Sequence, residues 1–261
     1  VSYQSDIIRQ NRLYKLYQPL MKKFLAKAAS IVATSQKYIL SSPVLSNLKQ
    51  PVTLIPNGIE SELDSASYQK EKKRYEGIYG RNFFLFLGVF RYYKGLNYLL
   101  EAAKKTGLDV VIAGDGAESE VLHQFVKEHD LTNVHFLGHV TKQQKYALID
   151  ISTALILPSS ERSEAYGMVL LEASRQSTAM ISTELESGTS FINSHNETGL
   201  VVAPKNSTEL AAAMRYMADN EETVKLMSTS AKNRFDDNFT GEIMGKCYAD
   251  LYHSVLVEIE L

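Results

Sequence analysis

The chain reads as an α/β protein built on a parallel sheet with helices on both faces, and three observations predict it. Short apolar runs recur at residues 83–88, 109–114, 133–137, 154–158, 179–183 and 200–204, most of them separated by helix-like stretches. The runs are continuous rather than alternating, as in parallel strands buried on both faces. Several lead into a Gly or Pro (Gly88, Gly114, Gly138, Pro158, Pro204), and the loops that follow lie where ligands of open parallel sheets bind, outside the carboxyl ends of the strands. With 261 residues, 44% of them hydrophobic, the chain is long enough for one large domain or two small ones.

Composition narrows the function classes. A net charge of −2 argues against the electrostatic footprint of a nucleic-acid binder. No apolar run approaches the roughly 18 residues of a spanning helix. The single cysteine, Cys247, excludes an intramolecular disulfide framework, suits a reducing compartment, and reads as a small packed residue of a C-terminal helix.

In chain order, Val1-Ser2-Tyr3 reads as the tail of a strand, and the expectation is a fragment whose upstream half is missing. Residues 10–29 form a predicted helix with Leu13, Leu16, Tyr17, Leu20, Phe24 and Leu25 at helical spacing; Arg12, Lys15, Lys22, Lys23 and Lys27 take the other positions. That face is either a solvated helix surface or one that lies against anionic lipid. A strand at 31–34 and a helix from Gln36 complete a first unit, residues 1–48, read as the end of an N-terminal domain. A second unit, 49–240, opens with the strand 51–56 and the Asn57-Gly58 turn, and 60–81 reads as a polar connector. Arg91 and Lys94 fall between a strand and a helix, where two cations beside free N–H groups suit a diphosphate. Neither a Walker loop nor a full dinucleotide fingerprint is present: Gly114-Asp115-Gly116 lacks its third glycine. His135 and His139 are four apart on a strand-to-loop stretch, not on a helix, and predict no metal.

The stretch Glu164-Ala-Tyr-Gly-Met-Val-Leu-Leu-Glu172 organises the rest. Glu164 sits in the loop after a buried strand and Glu172 about five residues into the next helix, so at about 1.5 Å rise per residue the two can meet different parts of one elongated polar ligand. The loop at Gly188-Thr189-Ser190, before a short apolar helix, can offer N–H groups to phosphate or sugar. Helices at 207–219, capped by Ser207 or Thr208, and at 221–238 precede a last helix, 241–261.

Glu164 to Glu172 resembles the Glu-(seven residues)-Glu signature of retaining GT-B glycosyltransferases, glycosyltransferase family 4 (group 1) in particular. Gly88-x-x-Arg91-x-x-Lys94-Gly95 is similar to that family's phosphate-binding element, and Ile55-Pro-Asn-Gly58 to its passage into the second domain. The resemblance implies a GT-B architecture, with a Rossmann-like C-terminal domain that binds the donor and a last helix that packs back toward the N-terminal domain. It places Glu164 at the donor sugar and Glu172 at the ribose, Arg91 and Lys94 at the diphosphate beside Gly88, and His139 and Val140 at the base. Tyr166-Gly167 and Gly188, Thr189 and Ser190, where the family has its Gly-Gly loop, complete the donor site. Gln4 takes an acceptor-side position that is His in many relatives, and no general-base role transfers to an amide. The segment from Ser182 to Pro204 resembles a subgroup that builds O-antigen and other surface polysaccharides.

The implied activity moves a hexose or N-acetylhexosamine from a nucleoside diphosphate to a lipid-linked oligosaccharide with retained configuration, in lipopolysaccharide O-antigen synthesis. The implied place is the bacterial cytoplasm, peripheral at the inner membrane. No cofactor and no metal are expected, since no Asp-x-Asp is present, and the fragment alone is expected to be inactive. Alternatives are a nucleotide-sugar-binding module without turnover and a sugar-nucleotide epimerase of the same fold.

Overall fold

The computed structural model describes residues 1–9, 11–62 and 64–260; the start of the first predicted helix, Gln10, and the side chain of Arg12 lie outside that set. The small lobe opens with α1 (Asn11–Leu25), β1 (Ile31–Ala33), α2 (Gln36–Ser41) and β2 (Val52–Leu54). Strands β1 and β2 pair in parallel, and Ser2 bridges Val32 on the other side of β1. The strand expected to open the second domain therefore hydrogen-bonds within the first. Sequence cannot assign an apolar strand to a sheet, and the pairing continues to Ile55, whose amide donates to Ala33 carbonyl at 3.0 Å.

Only one face of α1 enters the core. Met21 and Leu25 are buried and Tyr14 partly so, packed with Ile31, Ala33 and Tyr38. The stripe singled out from sequence, apart from Leu25, points to solvent: Leu16 is 81% exposed. Helical spacing finds apolar faces but cannot say which of two meets the core.

The large lobe starts with a helix where a connector was expected, α3 (Gln69–Tyr79). Tyr68 at its N-cap and Tyr75 and Tyr79 within it recur at seven and four residues among lysines and glutamates, and they pack into the core. Then follow β3 (Phe83–Leu87), α4 (Leu96–Thr106), β4 (Asp109–Ala113), α5 (Ser119–Glu128), β5 (Val134–Gly138) and α6 (Lys142–Ile151). Next come β6 (Ala154–Leu157), α7 (Met168–Arg175), β7 (Met180–Thr183), the one-turn α8 (Thr189–Ile192) and β8 (Gly199–Val202). The chain closes with α9 (Ser207–Asp219), α10 (Glu221–Asn238) and α11 (Gly241–Glu260). The N-cap of α9 is Asn206, whose side chain accepts from the amides of Thr208 and Glu209, rather than Ser207 or Thr208.

All six strands of the large sheet are parallel, in the order β5-β4-β3-β6-β7-β8. Alternate residues of β3 feed opposite cores, Phe84 and Phe86 to one face and Phe83, Leu85 and Leu87 to the other. This is why the apolar runs are unbroken.

Two passes connect the lobes, and they touch. Ile59 amide donates to Phe239 carbonyl at 3.0 Å, and Gly241 amide donates back to Ile59 carbonyl at 2.7 Å. At Gly58 a Cβ would lie 2.3 Å from the Thr240 carbonyl oxygen, so a side chain would force the passes apart. Beyond the second pass, Tyr248, Leu251 and Val255 of α11 share a groove with Val1, Ala28 and Val32 of the small lobe. No described helix is long and apolar enough to cross a membrane.

Candidate functional site

The strand order reverses beside β3. The chain runs outward from β3 to β4 and β5, then β6 returns to the opposite side of β3. The loops after β3 and β6 therefore leave their strands in diverging directions and open the crevice where doubly wound sheets bind ligands. Arg91 and Lys94 lie on the first loop, Glu164 on the second.

Gly95 lets these loops close on each other. It has φ +69°, caps the N-terminus of α4, and stands so near the second loop that a Cβ would lie 2.0 Å from the Pro158 carbonyl oxygen. Ser160 amide then donates to Tyr93 carbonyl at 2.7 Å. The approach brings Lys94 Nζ to 2.6 Å from Glu164 Oε2, and Ser159 Oγ donates to the same oxygen at 2.9 Å. Side-chain exposures of 14% and 10% make this a largely desolvated pair. Ser187 Oγ donates to the Glu164 carbonyl, so the residue is held from both its head group and its backbone.

Glu172 lies on α7, which begins at Gly167 with φ +85°. Its carboxylate pairs with Lys145 of α6. Gly88, Lys94, Lys145, Glu164, Gly167 and Glu172 line one cleft of about 430 Å³, together with Tyr166. Tyr166 also reaches across the lobes. Its hydroxyl donates to Asn57 carbonyl at 3.2 Å, and burial pushes its pKa well above the ordinary tyrosine value.

The remaining predicted residues are not among those lining the cleft. Arg91 is exposed and has no ion pair among the described residues. Its replacement by alanine should therefore leave the melting temperature within about 2 °C, a surface substitution being worth within about 0.5 kcal/mol. His139 is exposed at the end of the edge strand β5, and half-buried Val140 packs on the core. Gly188 fits under the Tyr166 ring. Thr189 is 1% exposed with its hydroxyl on Thr183 carbonyl, so its side chain serves the loop's own structure. Ser190 bonds Glu184 and Lys37. Gln4 is exposed, its amide 3.4 Å from Ser2 Oγ. Among the described residues no cluster of His, Cys, Asp or Glu could hold a metal ion; His135 faces Tyr79 and Asp109 instead.

Sequence reasoning missed Lys145 and a set of ties between the lobes. α6 carries a sequence signal in its capping box, Thr141 with Gln144, which marks the helix that presents Lys145. Lys37 of α2 pairs with Glu184 at 2.6 Å, and Ser41 Oγ donates to Glu186 carbonyl at 2.7 Å. Burial opposes ionisation of Glu184, but hydrogen bonds from Lys37, Ser190 and the Glu186 amide hold its pKa below the usual carboxylate value. Buried Asp6 accepts from Tyr3 and Ser42 and lies 3.6 Å from Arg162, two residues before Glu164. No spacing rule finds such pairs, because their partners are far apart in the chain.

Known proteins resemble this chain over most of its length. The family model described as glycosyl transferases group 1 matches residues 68–234. O-antigen chain mannosyltransferase C of Escherichia coli is 40% identical over 256 residues, 98% of this chain and 69% of that protein. D-rhamnosyltransferase WbpZ of Pseudomonas aeruginosa is 41% identical over 240 residues, 92% of this chain and 63% of that protein. Two solved structures share the fold at low identity. Sucrose-phosphate synthase of Thermosynechococcus elongatus has TM-score 0.84 at 20% identity, with 98% of this chain and 67% of that chain covered. Anabaena Alr3699/HepE, solved with UDP and glucose, has TM-score 0.81 at 17% identity, covering 97% and 70%.

Proposed function

This chain belongs to the group 1 glycosyl transferases and has the GT-B fold, and on that premise we propose that it is the donor-binding part of a retaining glycosyltransferase of O-antigen synthesis. The donor is a nucleoside-diphosphate hexose or N-acetylhexosamine, and the acceptor a lipid-linked oligosaccharide. The observation that carries the reading is the Lys94–Glu164 pair at the point where the strand order reverses, with Glu172 in the same cleft.

The chemistry follows from charge. As the bond from sugar to diphosphate breaks, negative charge grows on the leaving oxygen. Lys94, already fixed on the β3 loop, meets that charge without reorganising, and Arg91, exposed on the same loop, has to turn inward to join it. We assign no metal ion to this step. Glu164 takes the sugar hydroxyls and Glu172 the ribose; Lys145, on one oxygen of Glu172, leaves the other free to accept. Serving both ends, the cleft holds one elongated ligand.

The test is a thermal-shift panel of UDP, GDP, dTDP and ADP with this chain. A ligand at a hundred times its dissociation constant adds about 2.7 kcal/mol, a clear upward shift. No shift with any of the four would remove the donor-site assignment. For the nucleotide that binds, Glu172→Gln should weaken affinity about tenfold or more, since a hydrogen bond to a charged group is worth about 1.5–3 kcal/mol. Unchanged affinity by calorimetry would take the ribose away from Glu172.

A further inference from the structure

We infer that Asp6 and Arg162 form a positioning pair, through which the small lobe sets the Glu164 carboxylate against the donor sugar. The inference rests on the donor-site reading above, in which Glu164 takes the sugar hydroxyls. Its starting point is the turn that carries Glu164. The Glu164 amide donates to the Glu161 carbonyl at 3.0 Å and closes a four-residue turn, with Arg162 and Ser163 at its two corners. The dihedral angles of the two corner residues set where the fourth residue points, so whatever holds the corners also holds Glu164.

Both corners are held by one segment of the small lobe, Tyr3 to Arg9. Arg162 is held directly: its Nη2 lies 3.6 Å from Asp6 Oδ2, and its Cζ stands 5.6 Å from the centre of the Tyr38 ring. Ser163 is held through Tyr92. Its Oγ is 3.3 Å from the Tyr92 hydroxyl, and the Arg9 guanidinium lies over the Tyr92 ring at 3.2 Å from its centre. Arg162 Nη1 also donates to the Glu186 carbonyl at 3.4 Å, and the next residue, Ser187, donates to the Glu164 carbonyl.

Burial singles this pair out among the ties between the lobes. Lys37 and Glu184 keep side-chain exposures of 49% and 39%, where an ion pair is weak and screened by salt. Asp6 is 5% exposed and Arg162 24%. Tyr3 and Ser42 both donate to Asp6 Oδ1, which leaves Oδ2 for the guanidinium. Among the described residues neither Asp6 Oδ2 nor Arg162 Nη2 has a hydrogen-bond partner, although both atoms are buried. They stand just outside hydrogen-bond distance of each other, and an approach of about 0.5–1 Å satisfies both at once. At the other end of the cleft Glu172 is held by Lys145, from within the large lobe. Disturbing Asp6 or Arg162 should therefore reach the sugar end and spare the nucleotide end.

The experiment compares, by calorimetry on this chain, the affinity for a nucleoside diphosphate with that for its hexose form. The pairs are UDP with UDP-glucose, GDP with GDP-mannose, dTDP with dTDP-glucose and ADP with ADP-glucose. Glu164→Gln sets the scale and should weaken the hexose form about tenfold or more, since it removes hydrogen bonds to a charged group. Asp6→Asn keeps an oxygen for Tyr3 and Ser42 but turns an amide N–H toward Arg162. It should weaken the hexose form about fivefold and the diphosphate less than about twofold, a coupling near the lower end of the usual range. Arg162→Gln should do the same, and Arg162→Lys, which keeps the charge, should restore most of the loss. Asp6→Asn with Arg162→Gln should cost no more than either change alone, as for two residues that act as one unit. Diphosphate affinity that stays at the parent value shows that the variants are folded. Equal losses for both ligands, or no loss for the hexose form, overturn the inference while the donor site stands. A parent that binds neither member of any pair, or a hexose form indifferent to Glu164→Gln, removes the donor-site reading itself and the inference with it.

Discussion

Replacing Lys94 with methionine is expected to lower turnover of the full-length protein with its nucleotide-sugar donor by about 10²–10³-fold, the usual effect of deleting one preorganised group at a site of developing charge. Nucleotide affinity should fall less, because the ammonium matters most when the diphosphate is leaving. The same change also strands Glu164. With its ion pair gone, the carboxylate keeps Ser159 as a partner in a site that is largely shielded from water. Breaking a buried pair by removing one member costs about 3–5 kcal/mol. Lys94→Met should therefore lower stability as well, and the two effects need separating. The double variant Lys94→Met, Glu164→Gln removes both charges and should recover most of the stability in a denaturant melt while turnover stays low. If turnover returned with stability, Lys94 would be a structural residue and not a catalytic one.

Gly95→Ala is expected to be strongly destabilising although it adds only one methyl group. Its φ of +69° alone makes an alanine unfavourable by about 1–2 kcal/mol. The added Cβ would also press within 2.0 Å of the Pro158 carbonyl, a backbone atom anchored by a buried strand, so one of the two loops has to move. Together these should amount to about 3–5 kcal/mol, or a melting temperature lower by about 6–20 °C at 2–4 °C per kcal/mol. Gly107→Ala is the control. Its φ is +70°, nearly the same, but nothing stands within 4 Å of the added methyl, so only the backbone contribution of about 1–2 kcal/mol remains and the drop should be about 2–8 °C. Equal drops for the two variants would mean that the loops separate freely, and that the Lys94–Glu164 geometry does not depend on their closeness.

The strands of the large sheet were legible because burial on both faces writes itself as unbroken apolar runs, and Phe83–Leu87 is the plainest. The cleft was legible in part. Gly88, Lys94, Glu164, Gly167 and Glu172 were marked by strand ends, turn glycines and a charged pair at fixed spacing, all local features. Lys145 was missed although Thr141 and Gln144 announce its helix, because the lysine matters only through Glu172, 27 residues later. The ties of Lys37 to Glu184 and Asp6 to Arg162 were invisible for the same reason. Residues 60–81 were misread because their lysines and glutamates hid three tyrosines at helical spacing. The stripe of α1 was seen, but the choice between its two apolar faces belongs to the packing of residues distant in the chain.

The two passes between the lobes, at Ile59 and at Phe239–Gly241, hydrogen-bond to each other along one short line. Like two knuckles on a single pin, they define a line about which any swing of the lobes has to break the Lys37–Glu184 and Ser41–Glu186 ties. A protease nick at Ile59 would leave the small lobe held by non-covalent contacts alone, since the second pass leads only into α11.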